Sequence, residues 1–222
     1  MRRKATPSLT ESLLASLPDI RTIIPLITLA VLFVSCKTPQ RLAGRVHAGI
    51  YTSSGGQFSC PIPYTPEESP KIYDSTEHVY FSSRGLSLVR ISFEDVRGDQ
   101  DLVEALIRLG KEEVLRRMSR RYQENGPLRN FRIVTKLNDE FLPNVNTGSV
   151  FTTYSIAPSE YGNTTEGGLL VYAHGDHLFY VLVQLRDSYL FLFKDQSAVQ
   201  RRAFLKKSVL LISERMKYDK PR

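Results

Sequence analysis

The one compact cluster of side chains that could do chemistry is the stretch His174-Gly175-Asp176-His177. Histidine and aspartate two or three positions apart can share a metal ion, or can act as a base and its orienting carboxylate. Glycine and aspartate are also the residues that a tight hairpin turn favours. We expect the two histidine side chains to point in different directions across such a turn. A turn is therefore the favoured interpretation, and a metal-assisted or His/Asp hydrolase that uses His174, Asp176 and His177 is the alternative.

Other catalytic motifs are absent from the sequence. It contains no Gly-x-Ser-x-Gly elbow, no phosphate-binding glycine loop, no His-Glu-x-x-His and no Cys-x-x-Cys. The adjacent carboxylates Glu94-Asp95 and Asp139-Glu140 fall on predicted strand ends or loops, where neighbouring side chains face opposite ways. We therefore expect no catalytic residue and no cofactor.

An apolar run near the N-terminus, residues 23–35, predicts an export signal. At thirteen residues the run is too short to span a bilayer but fits the core of a signal peptide. Its end, Phe33-Val34-Ser35-Cys36, resembles a bacterial lipobox, in which the cysteine is lipidated and becomes the first residue of the mature chain. We predict a signal peptide at 1–35, lipidated Cys36 with a tether to residue 44, and a single domain at 45–222. An ordinary cleaved signal, or an uncleaved anchor helix starting near Leu17, remains an alternative.

The predicted location outside the cytoplasm limits the classes of partner. The chain carries 30 Lys and Arg against 23 Asp and Glu, a formal net charge of +7. Export disfavours nucleic acid as a partner, so the membrane and another envelope protein are the expected ones, with the oligomeric state open. Lys37 is not the aspartate that retains some lipoproteins in the inner membrane, so the outer membrane is slightly favoured. A patch of Arg116, Arg117, Arg120 and Arg121 on a predicted helix is either a solvated face or a site for anionic lipid.

Only two cysteines occur in the sequence. If Cys36 is lipidated, Cys60 has no intramolecular partner, and the domain depends on a hydrophobic core rather than on a disulfide. The neighbours of Cys60 are apolar or small, which is typical of a buried thiol and not of a nucleophile.

The periodicity of the chain alternates strands and helices. Helices are predicted at 101–124 and 196–217, from apolar residues at helical spacing and from an Asn-Gly-Pro stop after the first one. Loops are predicted at 64–76 and 138–146. Strands are predicted in the runs 45–51, 57–62, 78–81, 86–94, 131–136, 149–156, 169–173, 178–185 and 188–193. The runs 169–173 and 178–185 are apolar on both faces, which predicts cover on each side of the sheet.

This order of elements, with the phrase Gly56-Gln57-Phe58-Ser59-Cys60-Pro61-Ile62-Pro63, resembles the PsbP/Mog1-like family and bacterial lipoproteins with a similar opening to the mature chain. The resemblance covers about residues 50–217. It implies an α+β domain in which an antiparallel sheet carries helices on both faces, an α/β/α sandwich. It implies no activity and assigns no functional residue. The sequence therefore favours a lipid-anchored, non-catalytic accessory or binding module of the bacterial envelope that faces the periplasm, and a basic module that binds anionic lipid is a further alternative.

Overall fold

The computed structural model of the chain describes residues 42–68, 70–83, 87–125, 133–156, 165–185 and 195–218. The predicted signal peptide, Cys36 and the predicted strand at 188–193 lie outside these residues. None of the helices within the described ranges is long and apolar enough to cross a membrane.

The strands form two antiparallel sheets. In chain order they are β1 (Arg45–His47), β2 (Ile50–Thr52), β3 (Phe58–Pro61), β4 (Lys71–Asp74), β5 (His78–Ser82), β6 (Ser87–Asp95), β7 (Ile133–Leu142), β8 (Ser149–Ile156), β9 (Thr165–His174), β10 (His177–Leu185) and β11 (Lys217–Tyr218). Of the described strands, seven form the large sheet, in the order β4-β5-β6-β10-β9-β8-β7. Four more form the small sheet, in the order β1-β2-β3-β11.

The described helices are α1 (Gln100–Leu109), α2 (Lys111–Asn125) and α3 (Ala198–Arg215). The prediction of one continuous helix at 101–124 is wrong, because the chain breaks at Gly110. That residue has φ 79° and ψ 158°, a conformation that is open essentially to glycine alone. Helical periodicity continues across the break, so the apolar pattern does not reveal it.

Central strand β10 is buried on both faces, as the sequence predicts. Phe179, Val181 and Val183 pack in a core with α3, whereas Leu178, Tyr180 and Leu182 pack in a second core with α1 and α2. The small sheet contributes Tyr51, Phe58 and Cys60 to the first core. The predicted α+β fold, an antiparallel sheet with helices on both faces, is confirmed.

Three strand predictions need correction. Residues 45–51 form the β1–β2 hairpin rather than one strand, since Ala48 and Gly49 both take positive φ and turn the chain. The proline-rich stretch predicted as a loop contains β4, whose Ile72 and Tyr73 pair with β5 at the edge of the sheet. Strand β7 runs on to Leu142 through the predicted loop at 138–146, helped by a register shift between Leu137 and Glu140.

A carboxylate at the end of β4 holds the start of the domain, and we call this arrangement the Asp74 clamp. Its oxygens accept the backbone N–H of Ala43 at 2.9 Å and of Gly44 at 2.6 Å, and the hydroxyl of Tyr51 at 2.9 Å. A Cβ at Gly44 would lie 2.3 Å from the carbonyl oxygen of Thr52, so only glycine fits. The clamp therefore fixes where the predicted tether joins the domain.

Candidate functional site

A concave surface forms where the helical layer ends on the α2 side of the large sheet. Helix α2 packs on β8 and β9, and its Tyr122 stacks on Tyr180 of β10 with ring centroids 4.5 Å apart. Strands β5 and β6 continue the same face beyond this stack. Their register places Tyr80 directly opposite Arg90. Directly paired residues share a face of a sheet, so both side chains lie on this surface.

We call this surface the Arg90 cleft. It encloses about 630 Å³, within the range of ligand pockets. All of its lining residues except Phe93 are polar or titratable. The lining consists of Glu77, His78, Arg90, Ser92, Phe93, Glu94, Asp95, Arg121, Tyr122 and Tyr180.

Arg90 is the group that distinguishes the cleft. The residue is only 9% exposed. Its Nε donates to Ser92 Oγ at 2.8 Å, one terminal nitrogen donates to the Tyr80 hydroxyl, and Cζ lies 4.6 Å from the Tyr80 ring centroid. The Tyr122 hydroxyl is a third hydrogen-bond partner of the guanidinium. Three hydroxyl groups therefore leave two of the five guanidinium N–H donors free. Within the described residues, no carboxylate lies at ion-pair distance from it, so a buried positive charge lacks its counter-charge.

Hydroxyls and one ion pair form the wall of the cleft beside α2. Tyr180 donates to Glu94 Oε2 at 3.0 Å, and the same carboxylate lies 3.4 Å from Arg121. The Tyr122 hydroxyl lies 3.3 Å from Ser92 Oγ. Burial raises the pKa of Tyr122, and burial together with Glu94 raises that of Tyr180, so both hydroxyls stay protonated.

His78 lies at the other side of the cleft and is held in its neutral form. Burial lowers the pKa of His78, and the positive charge of Arg90 lowers it further, while Glu77 and Asp74 oppose the shift. Its Nδ1 lies 2.9 Å from Ser75 Oγ, which also accepts the N–H of Glu77. Both contacts are internal to the β4–β5 turn, so they stabilise the turn.

The histidine turn is a hairpin turn, as the sequence favours, but one expectation about it is wrong. His174 and His177 pair directly across the two-residue turn, so their side chains share one face instead of diverging. The ring of His174 stacks on Tyr218 at 3.9 Å, and that of His177 packs edge-on to Phe93 at 5.8 Å. Gly175 supplies the positive φ of the turn. No group of three His, Cys, Asp or Glu that could hold a metal occurs in the described parts of the chain.

Most of the charge of the predicted arginine patch is balanced. Arg116 pairs with Glu112 at 2.8 Å and Arg117 with Glu113 at 3.1 Å, each one helical turn apart. Arg121 pairs with Glu94 on the rim of the Arg90 cleft. Arg120 is exposed, and the described residues supply it with no ion-pair partner. The face therefore offers an anionic lipid surface much less net charge than its sequence suggests.

The remaining predicted site residues are the two cysteines. Cys36 lies outside the described residues. Cys60 is 2% exposed, which confirms that the cysteine is buried, and burial raises the pKa of its thiol to about 12.

A second concavity lies on the opposite side of the sheet, between α3 and the segment 61–65. It encloses about 410 Å³ and is lined largely by apolar side chains, among them Ile62, Phe204 and Leu211. It continues the core packed by α3, and its described lining includes no buried charged group without a counter-charge, so the Arg90 cleft is the stronger candidate site.

Sequence reasoning missed Arg90 because its strand alternates apolar and polar residues. That pattern predicts that Arg90, Ser92 and Glu94 face solvent on a half-buried strand. Tyr80 is the residue that could have indicated the burial of Arg90, because its ring lies over the guanidinium. The two residues meet only because β5 and β6 pair in one particular register, which hydrophobic periodicity does not predict.

Comparisons with known proteins give structural likenesses only. No protein-family model matches the chain, and no curated protein matches it. Among solved structures, the Ran-binding protein Mog1p of Saccharomyces cerevisiae is similar over 80% of this chain and 96% of its own, with 8% identity and a TM-score of 0.47. The cyanobacterial PsbP of Synechocystis is similar over 83% of this chain and 98% of its own, with 10% identity and a TM-score of 0.45.

A Bacteroides thetaiotaomicron protein is similar over 79% of this chain, with 12% identity and a TM-score of 0.44, and the chain spans half the length of that protein. PsbP and Mog1 structures, which the sequence resemblance anticipates, are thus among those similar to this chain. With TM-scores below 0.5, these likenesses transfer no residue role to it.

Proposed function

We propose that the protein is a non-catalytic binding module of the bacterial cell envelope, held at a membrane surface by acyl chains on Cys36, and that it binds an anionic ligand in the Arg90 cleft. The ligand binds by supplying the counter-charge that the described residues do not give to Arg90. No covalent step is part of this role.

The anchor is supported by the N-terminal sequence. The apolar run and the sequence ending in Cys36 fit lipidation, and stable anchoring needs more than one acyl chain, which a triacylated cysteine provides. The clamped Ala43 follows Cys36 by seven positions, with six residues between them. A chain of that length spans at most about 25 Å, so the domain would stay close to the bilayer. Lys37 favours the outer membrane as its location.

The binding role rests on one observation: the buried Arg90 guanidinium faces the cleft, its partners there are hydroxyl groups, and no carboxylate of the described residues lies at ion-pair distance from it. A buried charge without a counter-ion is strongly unfavourable, and replacement of such groups by apolar residues is often neutral or stabilising. A buried, unpaired arginine therefore does not help the stability of the fold. Binding of an anion in the cleft accounts for its presence.

The anchor is tested by the intact mass of the full-length protein extracted from bacterial membranes with detergent. We expect a chain that begins at Cys36 and carries a diacylglycerol and an amide-linked acyl chain. A membrane-extracted chain that still begins at Met1 and carries no fatty acid would contradict the lipoprotein assignment and leave the cleft to be judged separately.

The cleft is tested by the unfolding temperature of the same protein in a panel of small carboxylates, phosphates and sulfate at constant ionic strength. We expect at least one organic anion to raise the unfolding temperature in a saturable way, because it binds the folded state only. If none of the anions does so, the cleft is not an anion site and the proposed binding role fails.

A further inference from the structure

We infer that the Arg90 cleft takes its ligand through a single carboxylate group, and that the ligand is an organic monocarboxylate rather than a phosphate monoester. This inference rests on the proposed function, because it names the class of ligand for the same cleft. It is drawn from the shape of the free donors, the charges on the rim and the aromatic surface beside them.

The free donors of Arg90 suit a planar anion. Nε and one terminal nitrogen are already engaged by Ser92 and Tyr80, which fixes the plane of the guanidinium. The Tyr122 hydroxyl engages a third donor, which leaves two of the five N–H groups for a ligand. Guanidinium and carboxylate groups match in plane and spacing and form paired hydrogen bonds.

The rim of the cleft limits the ligand to one negative charge. Of its three acidic residues, Glu94 is paired with Arg121 and Asp95 with Arg97, while the described residues supply no ion-pair partner for Glu77. His78 adds no positive charge, since it is held neutral by burial and by Arg90. Among the described residues that line the cleft, Arg90 is thus the one cation without an ion-pair partner. A monoanion neutralises it, whereas the second charge of a phosphate monoester would lie close to these carboxylates and be repelled.

Aromatic side chains beside Arg90 provide a surface for the body of the ligand. Tyr73 pairs with Tyr80 across β4 and β5, lies on the same face and is 42% exposed. Tyr122 and Tyr180 form the opposite wall. A flat or apolar organic group can contact either surface while its carboxylate reaches Arg90.

The inference is tested by isothermal titration of the full-length, detergent-extracted protein with three matched probes: phenylacetate, phenyl phosphate and methyl phenyl phosphate. At about pH 7.5 phenyl phosphate is largely dianionic, whereas the diester carries one charge on a tetrahedral group. We expect phenylacetate to bind at least tenfold more tightly than phenyl phosphate and more tightly than the diester. At about pH 5, where phenyl phosphate becomes a monoanion, its disadvantage should shrink.

A rim variant separates charge from shape. Glu77→Gln removes a rim charge that touches neither Arg90 nor its hydroxyl partners, and it should narrow the preference for phenylacetate over phenyl phosphate at least twofold. Phenyl phosphate or the diester binding as tightly as phenylacetate would overturn the carboxylate inference while leaving an anion-binding cleft in place. If none of the three probes binds, and no anion of the panel raises the unfolding temperature, both the inference and the proposed cleft fail.

Discussion

Arg90 shows how a single residue changes character between sequence and fold. On an alternating strand it has the position of a solvated side chain, yet it is 9% exposed because Tyr80, Ser92 and the neighbouring strands enclose it. Hydroxyl groups can accept hydrogen bonds from its N–H groups but cannot neutralise its charge. Burial of the guanidinium costs folding free energy. It also strengthens the attraction between Arg90 and an anion, because water competes less well for the guanidinium in the cleft than at the surface.

His78 provides a residue-scale prediction, because its titration reports the charge of Arg90. We expect its pKa, followed by the imidazole NMR signals during a pH titration, to lie below the usual value of about 6.5. In Arg90→Met the pKa of His78 should rise, since one of the two causes that lower it has been removed. A pKa of His78 that is unchanged in Arg90→Met would contradict the placement of the guanidinium beside this ring.

The sign of the stability effect follows from the same shift. A histidine whose folded-state pKa is lowered contributes stability above its unfolded-state pKa of about 6.5, and this contribution is lost as the pH falls through the folded-state value. Between these two pKa values the unfolded state binds more protons than the folded state. We expect this contribution to the pH dependence of unfolding to be smaller in Arg90→Met than in the wild type.

At the scale of elements, Gly110 separates two helices that periodicity joins. Its ψ of 158° sends the chain out of the helical conformation, while its N–H still bonds to the carbonyl of Leu106 and its own carbonyl accepts the N–H of Val114. The break ends α1 and starts α2, and the two helices pack against each other. It cannot be inferred from the apolar spacing, because glycine within a helix only lowers its propensity.

The sign of the stability change in Gly110→Ala distinguishes one continuous helix from two helices that are separated at Gly110. In a continuous helix the substitution would stabilise the protein by roughly 1 kcal/mol. With a positive φ at this position, we expect it to destabilise the protein by about 1–3 kcal/mol instead. Chemical denaturation measures the change, and Arg120→Ala, an exposed position on α2, serves as the control with a change of less than about 0.5 kcal/mol. If Gly110→Ala were more stable than the wild type, the result would contradict the break and support a continuous helix.

The sequence predicts strong elements better than marginal ones. The apolar hairpin of β9 and β10 and the amphipathic α3 are long, regular patterns, and both occur close to where they are expected. Strand β4 is missed because four residues at an edge, in a stretch rich in proline and glutamate, carry little alternation. The Arg90 cleft is missed for a different reason, since it depends on which residues of β5 and β6 are paired, and that information is not local.

At the scale of the whole molecule, one sheet serves two cores. Leu115 on α2 and Leu205 on α3 are each 1% exposed, and they pack against opposite faces of the same strands. Loss of packing on either face removes support from β9 and β10, which both cores share. We therefore expect the domain to unfold as one cooperative unit.

Leu115→Ala and Leu205→Ala are a matched pair that tests this. Each should lower the free energy of unfolding by roughly 2–5 kcal/mol, the cost of a large-to-small substitution in a packed core. Circular dichroism and tyrosine fluorescence should report one coincident transition in both variants. A separate early transition in one variant would show that its helical layer is not coupled to the rest of the sheet.

The most direct test of the account is the affinity of phenylacetate for three arginine variants of the full-length protein, measured by calorimetry. Charge-assisted hydrogen bonds are worth about 1.5–3 kcal/mol, so Arg90→Met should weaken binding at least about tenfold and Arg90→Lys by less. Arg117→Met, which removes the same charge from an exposed position on α2, should bind like the wild type. The unfolding temperature of Arg90→Met should be equal to or higher than that of the wild type, because a buried unpaired charge has been removed. Wild-type affinity in Arg90→Met, or an equal loss in Arg117→Met, would contradict the central claim that Arg90 forms the ligand site.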